Sequence, residues 1–227
     1  MGRIFISGTD TDVGKTVVSC AIARALRDEG LDVGVMKPSE TGVPEEGPYD
    51  ARALIEAAGV SDPLDLVCPE QFDLPAAPLV SARDESRVVD LSKIDSALKT
   101  LSERHAHLLV EGAGGLLVPL DESLDMAGFA ARHALPVLLV ARASLGTINH
   151  TLLSIEACEK RGLPLVGVVI SHATGVLSDA DAKNLELLRE RLGELLVGEI
   201  PPVAPGELPS QDALDLAQIR QRAGIAN

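Results

Sequence analysis

The stretch 3–18 constrains this chain more than any other. Ile4, Phe5 and Ile6 form a short apolar run of the kind that makes a buried parallel strand. Gly8 then allows a sharp turn, and Gly14 lets the backbone come close to a ligand. From Val13 onward the pattern is helical: Val17, Ala21 and Ala25, with Ile22 and Leu26, fall on one stripe. A strand, a loop and a helix opening on Gly14, Lys15 and Thr16 read as a phosphate-cradling loop. Its amides lie at the positive end of the helix and face an anion. In that reading Lys15 neutralises β- and γ-phosphate oxygens and Thr16 offers its hydroxyl to Mg²⁺. The general formula places four residues between its glycines. Here Gly8 and Gly14 are separated by five, and Thr9 stands at the expected glycine position. The competing reading is an ordinary capped helix with a lysine in its first turn, but the strand before and the unbroken helix after favour the phosphate loop.

Downstream, strands and helices alternate. After a helix over 14–28 stopped by Gly30, a strand is expected over 32–38, then a Gly/Pro/Glu-rich loop over 39–48. A helix is expected over 50–58, with Asp50 as N-cap and Gly59 closing it. Residues 60–88 carry Pro63, Pro69, Pro75 and Pro78 and read as an irregular lid or edge excursion. Helices are then expected over 90–104, 125–133, 146–161 and 179–192, with strands over 108–110, 136–141, 165–170 and 195–200. The segment 201–227 is a tail with a last helix over 212–221. This pattern gives one α/β domain over 1–227, a mostly parallel sheet with helices on both faces. Hydrophobic residues make up 46% and aromatics only 2%, so the core is built from Ala, Val, Leu and Ile. A net charge of −14 argues against nucleic acid and anionic membranes as partners. Three cysteines without metal spacing fit a reducing cytoplasm, and the N-terminus runs straight into the first strand, so no leader is expected.

Several stretches at strand ends can meet the phosphate loop in one crevice. Lys37, with Thr41 and Gly42 after it, ends the second strand; beside a phosphate loop it can hold the γ-phosphate and the charge developing during transfer. Glu111 ends an apolar strand, the place of a metal-site carboxylate in many nucleotide enzymes. Gly112, Ala113, Gly114 and Gly115 then leave the backbone bare for a ligand. Asp50 reads locally either as a helix cap or as a further carboxylate; with Thr16 and Glu111 it would give Mg²⁺ three oxygen ligands. Gly146, Thr147, Ile148 and Asn149 open a helix whose free amides suit a carboxylate, though plain capping explains them too. The histidines show no ligand spacing.

Taken together, the chain resembles dethiobiotin synthetases over essentially its whole length. The resemblance rests on Gly-Thr-Asp-Thr-Asp-Val-Gly-Lys-Thr at 8–16, Lys-Pro-Ser-Glu-Thr-Gly at 37–42 and Asp-Ala-Arg-Ala-Leu at 50–54. It rests further on Val-Glu-Gly-Ala-Gly-Gly at 110–115, Leu-Gly-Thr-Ile-Asn-His-Thr at 145–151 and Gly-Glu-Ile-Pro at 198–201. The Thr-Asp-Thr insert of that family's loop also accounts for the glycine spacing. The resemblance implies ATP-dependent carboxylation and ring closure of 7,8-diaminopelargonate with CO₂, through a carbamate and a carbamic–phosphoric anhydride. It implies Lys37 as the key catalytic cation, with Lys15 on the phosphates, and Thr16, Asp50 and Glu111 on Mg²⁺. Thr41 would touch the diamine. Asp12, Val13, Gly14, Lys15, Thr16 and Val17, together with Glu111, Gly112, Ala113 and Gly114, would line the nucleotide. It also implies a homodimer in which Gly146 to Asn149 of one subunit bind the substrate carboxylate of the other.

Two departures bear on the base. Where that family often carries an Asn that reads adenine, this chain has Ser171 and His172, which cannot present the same donor–acceptor pair. Pro201, Pro202 and Val203 are expected near the nucleotide, and Glu207 at its ribose or base. Three alternatives fit less well. An amidotransferase-linked ATPase needs a glutaminase domain for which no length remains. A partitioning ATPase has a loop lysine where this chain has Asp10, and a GTPase switch needs guanine-reading motifs that are missing.

Overall fold

The computed structural model describes residues 2–173, 177–204 and 207–226. Its main sheet contains six parallel strands in the order β2-β5-β1-β6-β7-β8: β1 Arg3–Gly8, β2 Val33–Met36, β5 His107–Gly115, β6 Val137–Arg142, β7 Leu165–Ser171 and β8 Leu196–Ile200. Both faces are buried, because successive side chains of each strand point to opposite sides. Ile4, Ile6, Leu109, Leu138 and Val140 pack on one face with residues of α1 Lys15–Asp28, α2 Tyr49–Ala58 and α9 Leu216–Ala223. Phe5, Leu108, Val110, Leu139 and Val168 pack on the other. Their partners there include residues of α5 Leu91–Arg104, α6 Met126–Arg132, α7 Thr147–Lys160 and α8 Asp179–Leu192.

The structure corrects the expected elements at several points. The segment 39–48 is not all loop: β3 Ser39–Thr41 pairs in parallel with β4 Glu70–Phe72. The excursion 60–88 is likewise ordered, containing α3 Leu64–Val67, β4 and α4 Pro78–Asp84. It is anchored rather than lid-like, since Phe72 and Ala82 join the core. Glu70, almost fully buried, accepts a hydrogen bond from the Asp90 amide and pairs with Arg87 and Lys93. Three-residue strands are too short to show a period, which is why the prolines alone suggested irregularity. Strand β5 continues through Glu111 to Gly115, where a register shift sets Gly115 opposite Gly8. The last helix begins later than expected, at Leu216, because Asp215 caps it by accepting from the Gln218 amide.

Candidate functional site

The phosphate loop leaves β1 at Gly8 and enters α1 at Lys15. Val13 is fully buried and pins the loop to the core, so only its backbone is free for a ligand. Asp12 and Gly14 on either side have φ of 55° and 89°. A side chain at Gly14 would sit 2.4 Å from the Ser171 hydroxyl, so this position needs glycine for both reasons. A 380 Å³ cavity opens over the loop, and Asp12, Gly14, Lys15, Thr16 and Val17 form one wall. Lys37, Thr41, Asp50, Ala113 and Gly114 complete it, with four residues for which the sequence suggested no role: Thr11, Ser39, Glu40 and Ala173.

Four of the residues singled out above meet at one point. The Lys37 ammonium, almost fully buried, donates to Asp50 Oδ2 at 2.7 Å and to Glu111 Oε1. The Thr16 hydroxyl donates to the same Glu111 oxygen at 2.9 Å. Burial alone would push Lys37 down, but the Glu111 and Asp50 carboxylates outweigh it and hold Lys37 above the ordinary lysine value. Burial works against an ionised Asp50 as well, yet the Lys37 ammonium keeps its carboxyl below the usual range. Lys15 differs. Its ammonium is buried over the loop, touches only the Asp10 carbonyl at 3.4 Å, and makes no ion pair among the described residues. Burial, then the neighbouring Lys37 charge, lower it from the ordinary lysine value. A cation held without a carboxylate partner beside a loop of amides is well placed to receive an anion.

Asp50 is not the helix cap expected of it. Pro48 holds the cap position, Asp50 is the second residue of the helix, and its carboxylate is turned toward Lys37. Glu40 takes over the capping: its two oxygens accept from the amides of Asp50 and Ala51, each at 3.0 Å. Nothing in the sequence links Glu40 to those amides, because the contact spans ten residues and depends on how β3 is placed.

Glu111 lies beneath Lys37 and Thr16 rather than on the cavity wall. It is fully buried, and its second oxygen, Oε2, has no hydrogen-bond partner among the described residues. A buried carboxylate oxygen left unpaired, beside a hydroxyl and a second carboxylate, is a hard-oxygen donor set that fits Mg²⁺. Gly112 is bare for packing and not for a ligand: a Cβ there would lie 2.7 Å from the Phe5 ring.

The remaining residues lie apart from this cavity. Ser171 is buried against Gly14, and His172 Nε2 sits 2.6 Å from Glu199 Oε1. That carboxylate also takes two hydrogen bonds from Arg189. The polar end of His172 is therefore committed within the protein. Pro201 and Pro202 are exposed and Val203 is half-buried. Glu207 lines a separate 780 Å³ cavity that shares Thr16 and Val17 with the main one and continues along Cys20 and Arg24. Gly146 caps α7 with φ 88°, Thr147 is buried, and Asn149 is exposed beside the exposed Leu145. Within one chain, none of Gly146, Thr147, Ile148 and Asn149 lines the main cavity. All three cysteines are buried, and burial pushes the Cys20 thiol up to about 12 and Cys158 to about 11, so neither is a reactive thiol.

Comparison with known proteins places the chain in a family. A family model described as an AAA domain matches residues 2–209. The ATP-dependent dethiobiotin synthetase of Anaeromyxobacter dehalogenans strain 2CP-C is 51% identical over 172 residues, covering 76% of this chain and 77% of that one. The chain belongs to the dethiobiotin synthetase family. Two further members agree: those of Thermodesulfovibrio yellowstonii, 41% identical over 82% of each chain, and of Bacillus cereus strain B4264, 39% identical over 85% of this chain and 80% of the other. This family member is accordingly an enzyme, a ligase. Among solved structures, the MinD cell division protein of Aquifex aeolicus superposes with a TM-score of 0.57 at 16% identity, covering 100% of this chain and 99% of that one. A ParA family ATPase from Chlorobium tepidum gives 0.55 at 13% identity over 99% and 95%. At that identity the likeness concerns the phosphate-loop α/β fold alone. The described residues include no helix long and apolar enough to cross a membrane.

Proposed function

We propose that this dethiobiotin synthetase closes the ureido ring of dethiobiotin from 7,8-diaminopelargonate, CO₂ and ATP. The observation that carries the reading is the convergence of Lys15, Thr16, Lys37 and Asp50 on one cavity, with Glu111 directly beneath. One amine of the substrate takes up CO₂ and loses a proton, giving a carbamate. A carbamate oxygen attacks the γ-phosphorus of ATP, ADP leaves, and a mixed carbamic–phosphoric anhydride results. The second amine then attacks the carbonyl carbon, and phosphate departs with the carbamate oxygen. Such a sequence asks the protein for alignment and for positive charge around a migrating phosphoryl group.

The residues suit those tasks. Lys15, cationic and unpaired, holds the β- and γ-phosphate oxygens. Thr16, Asp50 and Glu111 would hold Mg²⁺, which would neutralise phosphate charge there. The Lys37 ammonium, on the same cavity, serves the carbamate and γ-phosphoryl oxygens. Thr41, on the cavity wall, contacts the diamine. The nucleotide lies along 12–17 and against Ala113 and Gly114, with Glu207 at the ribose or base and 201–203 nearby. With Ser171 against Gly14 and His172 on Glu199, neither position offers the base a side-chain amide, so other nucleoside triphosphates are admitted beside ATP. The substrate carboxylate is received by Gly146 to Asn149 of a second subunit, which the exposed Leu117, Leu145 and Leu153 favour as a dimer surface. The enzyme works in the cytoplasm on small molecules, without nucleic acid or membrane.

The test is phosphate release with Mg²⁺, bicarbonate and ATP, with and without 7,8-diaminopelargonate, and with CTP and GTP run alongside. Diamine-dependent release with dethiobiotin appearing in step is expected. Hydrolysis indifferent to the diamine would favour a partitioning-type ATPase, against which Asp10 already speaks: it faces Arg142 at 3.6 Å where that class carries a lysine.

A further inference from the structure

We infer that Glu40 is a positioning residue, which aims Asp50 at the metal and at Lys37 by holding the first turn of α2. The inference rests on the proposed role of Asp50 and goes beyond it. Helix α2 begins without help from its own cap, because Pro48 has no side-chain acceptor. Its second and third amides, of Asp50 and Ala51, instead donate to the two oxygens of one carboxylate on another strand. A bidentate clamp of this kind fixes both the position and the rotation of the helix start. The rotation matters here, because the same residue whose amide is clamped, Asp50, presents its carboxylate to Lys37 at 2.7 Å. A turn of the helix start by a few tens of degrees would swing that carboxylate out of reach.

Glu40 is itself rigidly held. It is only 6% exposed, and the parallel pairing of β3 with β4 sets Glu40 opposite Gln71. The anchored excursion 60–88 therefore reaches the site through β4, β3, Glu40 and the α2 N-terminus in turn. Glu40 is no spare surface acid, because it lines the same cavity as Lys37 and Asp50 while both hydrogen bonds of its carboxylate go to α2.

The test is a double-mutant cycle read by nucleotide binding, without the diamine. ATP binding is titrated by calorimetry across Mg²⁺ concentrations in wild type, Glu40→Ala, Asp50→Ala and the double variant. Glu40→Ala is expected to raise the Mg²⁺ concentration needed for half-maximal binding about tenfold, while the same change in the Asp50→Ala background adds less than about twofold. Glu40→Gln keeps the volume and one acceptor, and is expected to fall between wild type and Glu40→Ala; it is read in the same cycle if the alanine variant does not fold. An unchanged Mg²⁺ requirement in the Glu40 variants, an equal penalty in both backgrounds, or an Asp50→Ala variant with wild-type Mg²⁺ dependence would each overturn the inference. Because the readout needs no product, a chain that shows the coupling yet makes no dethiobiotin would refute the proposed function and leave this inference standing.

Discussion

Replacing Lys37 by methionine should cost stability as well as turnover. Lys37 is the counter-ion of a carboxylate that is 0% exposed, and Glu111 would keep only the Thr16 hydroxyl once the ammonium is gone. Breaking a buried pair by removing one partner costs ~3–5 kcal/mol, because the remaining charge is left uncompensated. Urea unfolding of both proteins at pH 7, followed by far-ultraviolet circular dichroism, measures this directly. A penalty below ~1 kcal/mol would refute the reasoning. It would mean that Lys15, the next cation in the site, moves in and serves Glu111 equally well.

Two further outcomes follow from other contacts. His105 is held by two carboxylates, Asp32 and Asp62, each 2.7 Å from one ring nitrogen; burial would lower it, but these partners raise it above the ordinary histidine value. Its contribution is therefore fully present below about pH 6.5 and lost as pH rises through the raised value, and after solvent screening it is worth ~1 kcal/mol. His105→Ala should lower the urea midpoint at pH 6 and barely move it at pH 9, and the reverse order would contradict this account. Gly14→Ala should weaken ATP binding at least ~10-fold, because the position has φ 89° and a new Cβ would meet the Ser171 hydroxyl at 2.4 Å. Wild-type affinity in equilibrium titration would show that the loop adapts.

The phosphate loop, the alternation of strands and helices along the chain and the residues gathered at the strands' carboxyl ends were legible in the sequence. They depend on local rules: glycines where the backbone turns, apolar runs in strands, and stripes of period 3.6 in helices. The convergence of Lys37, Asp50 and Glu111 was legible for a further reason, since parallel topology brings every strand's carboxyl end to one edge of the sheet. Contacts made across distance were not. The pairing of Ser39–Thr41 with Glu70–Phe72 joins two three-residue strands thirty-one positions apart, too short for either to announce itself. Asp50 has the spelling of a cap, but the tertiary structure gives capping to Glu40 and leaves the Asp50 carboxylate free for Lys37. His172 stands where a base reader was sought, yet Glu199, brought beside it by β8 and itself held by Arg189 of α8, engages its ring. By itself, then, the sequence determined which groups are available and which elements carry them, because propensity and periodicity act over a few residues. Only the tertiary structure decided which buried charge each group answers, because an ion inside the protein settles on whichever opposite charge or amide the packing sets within about 3 Å.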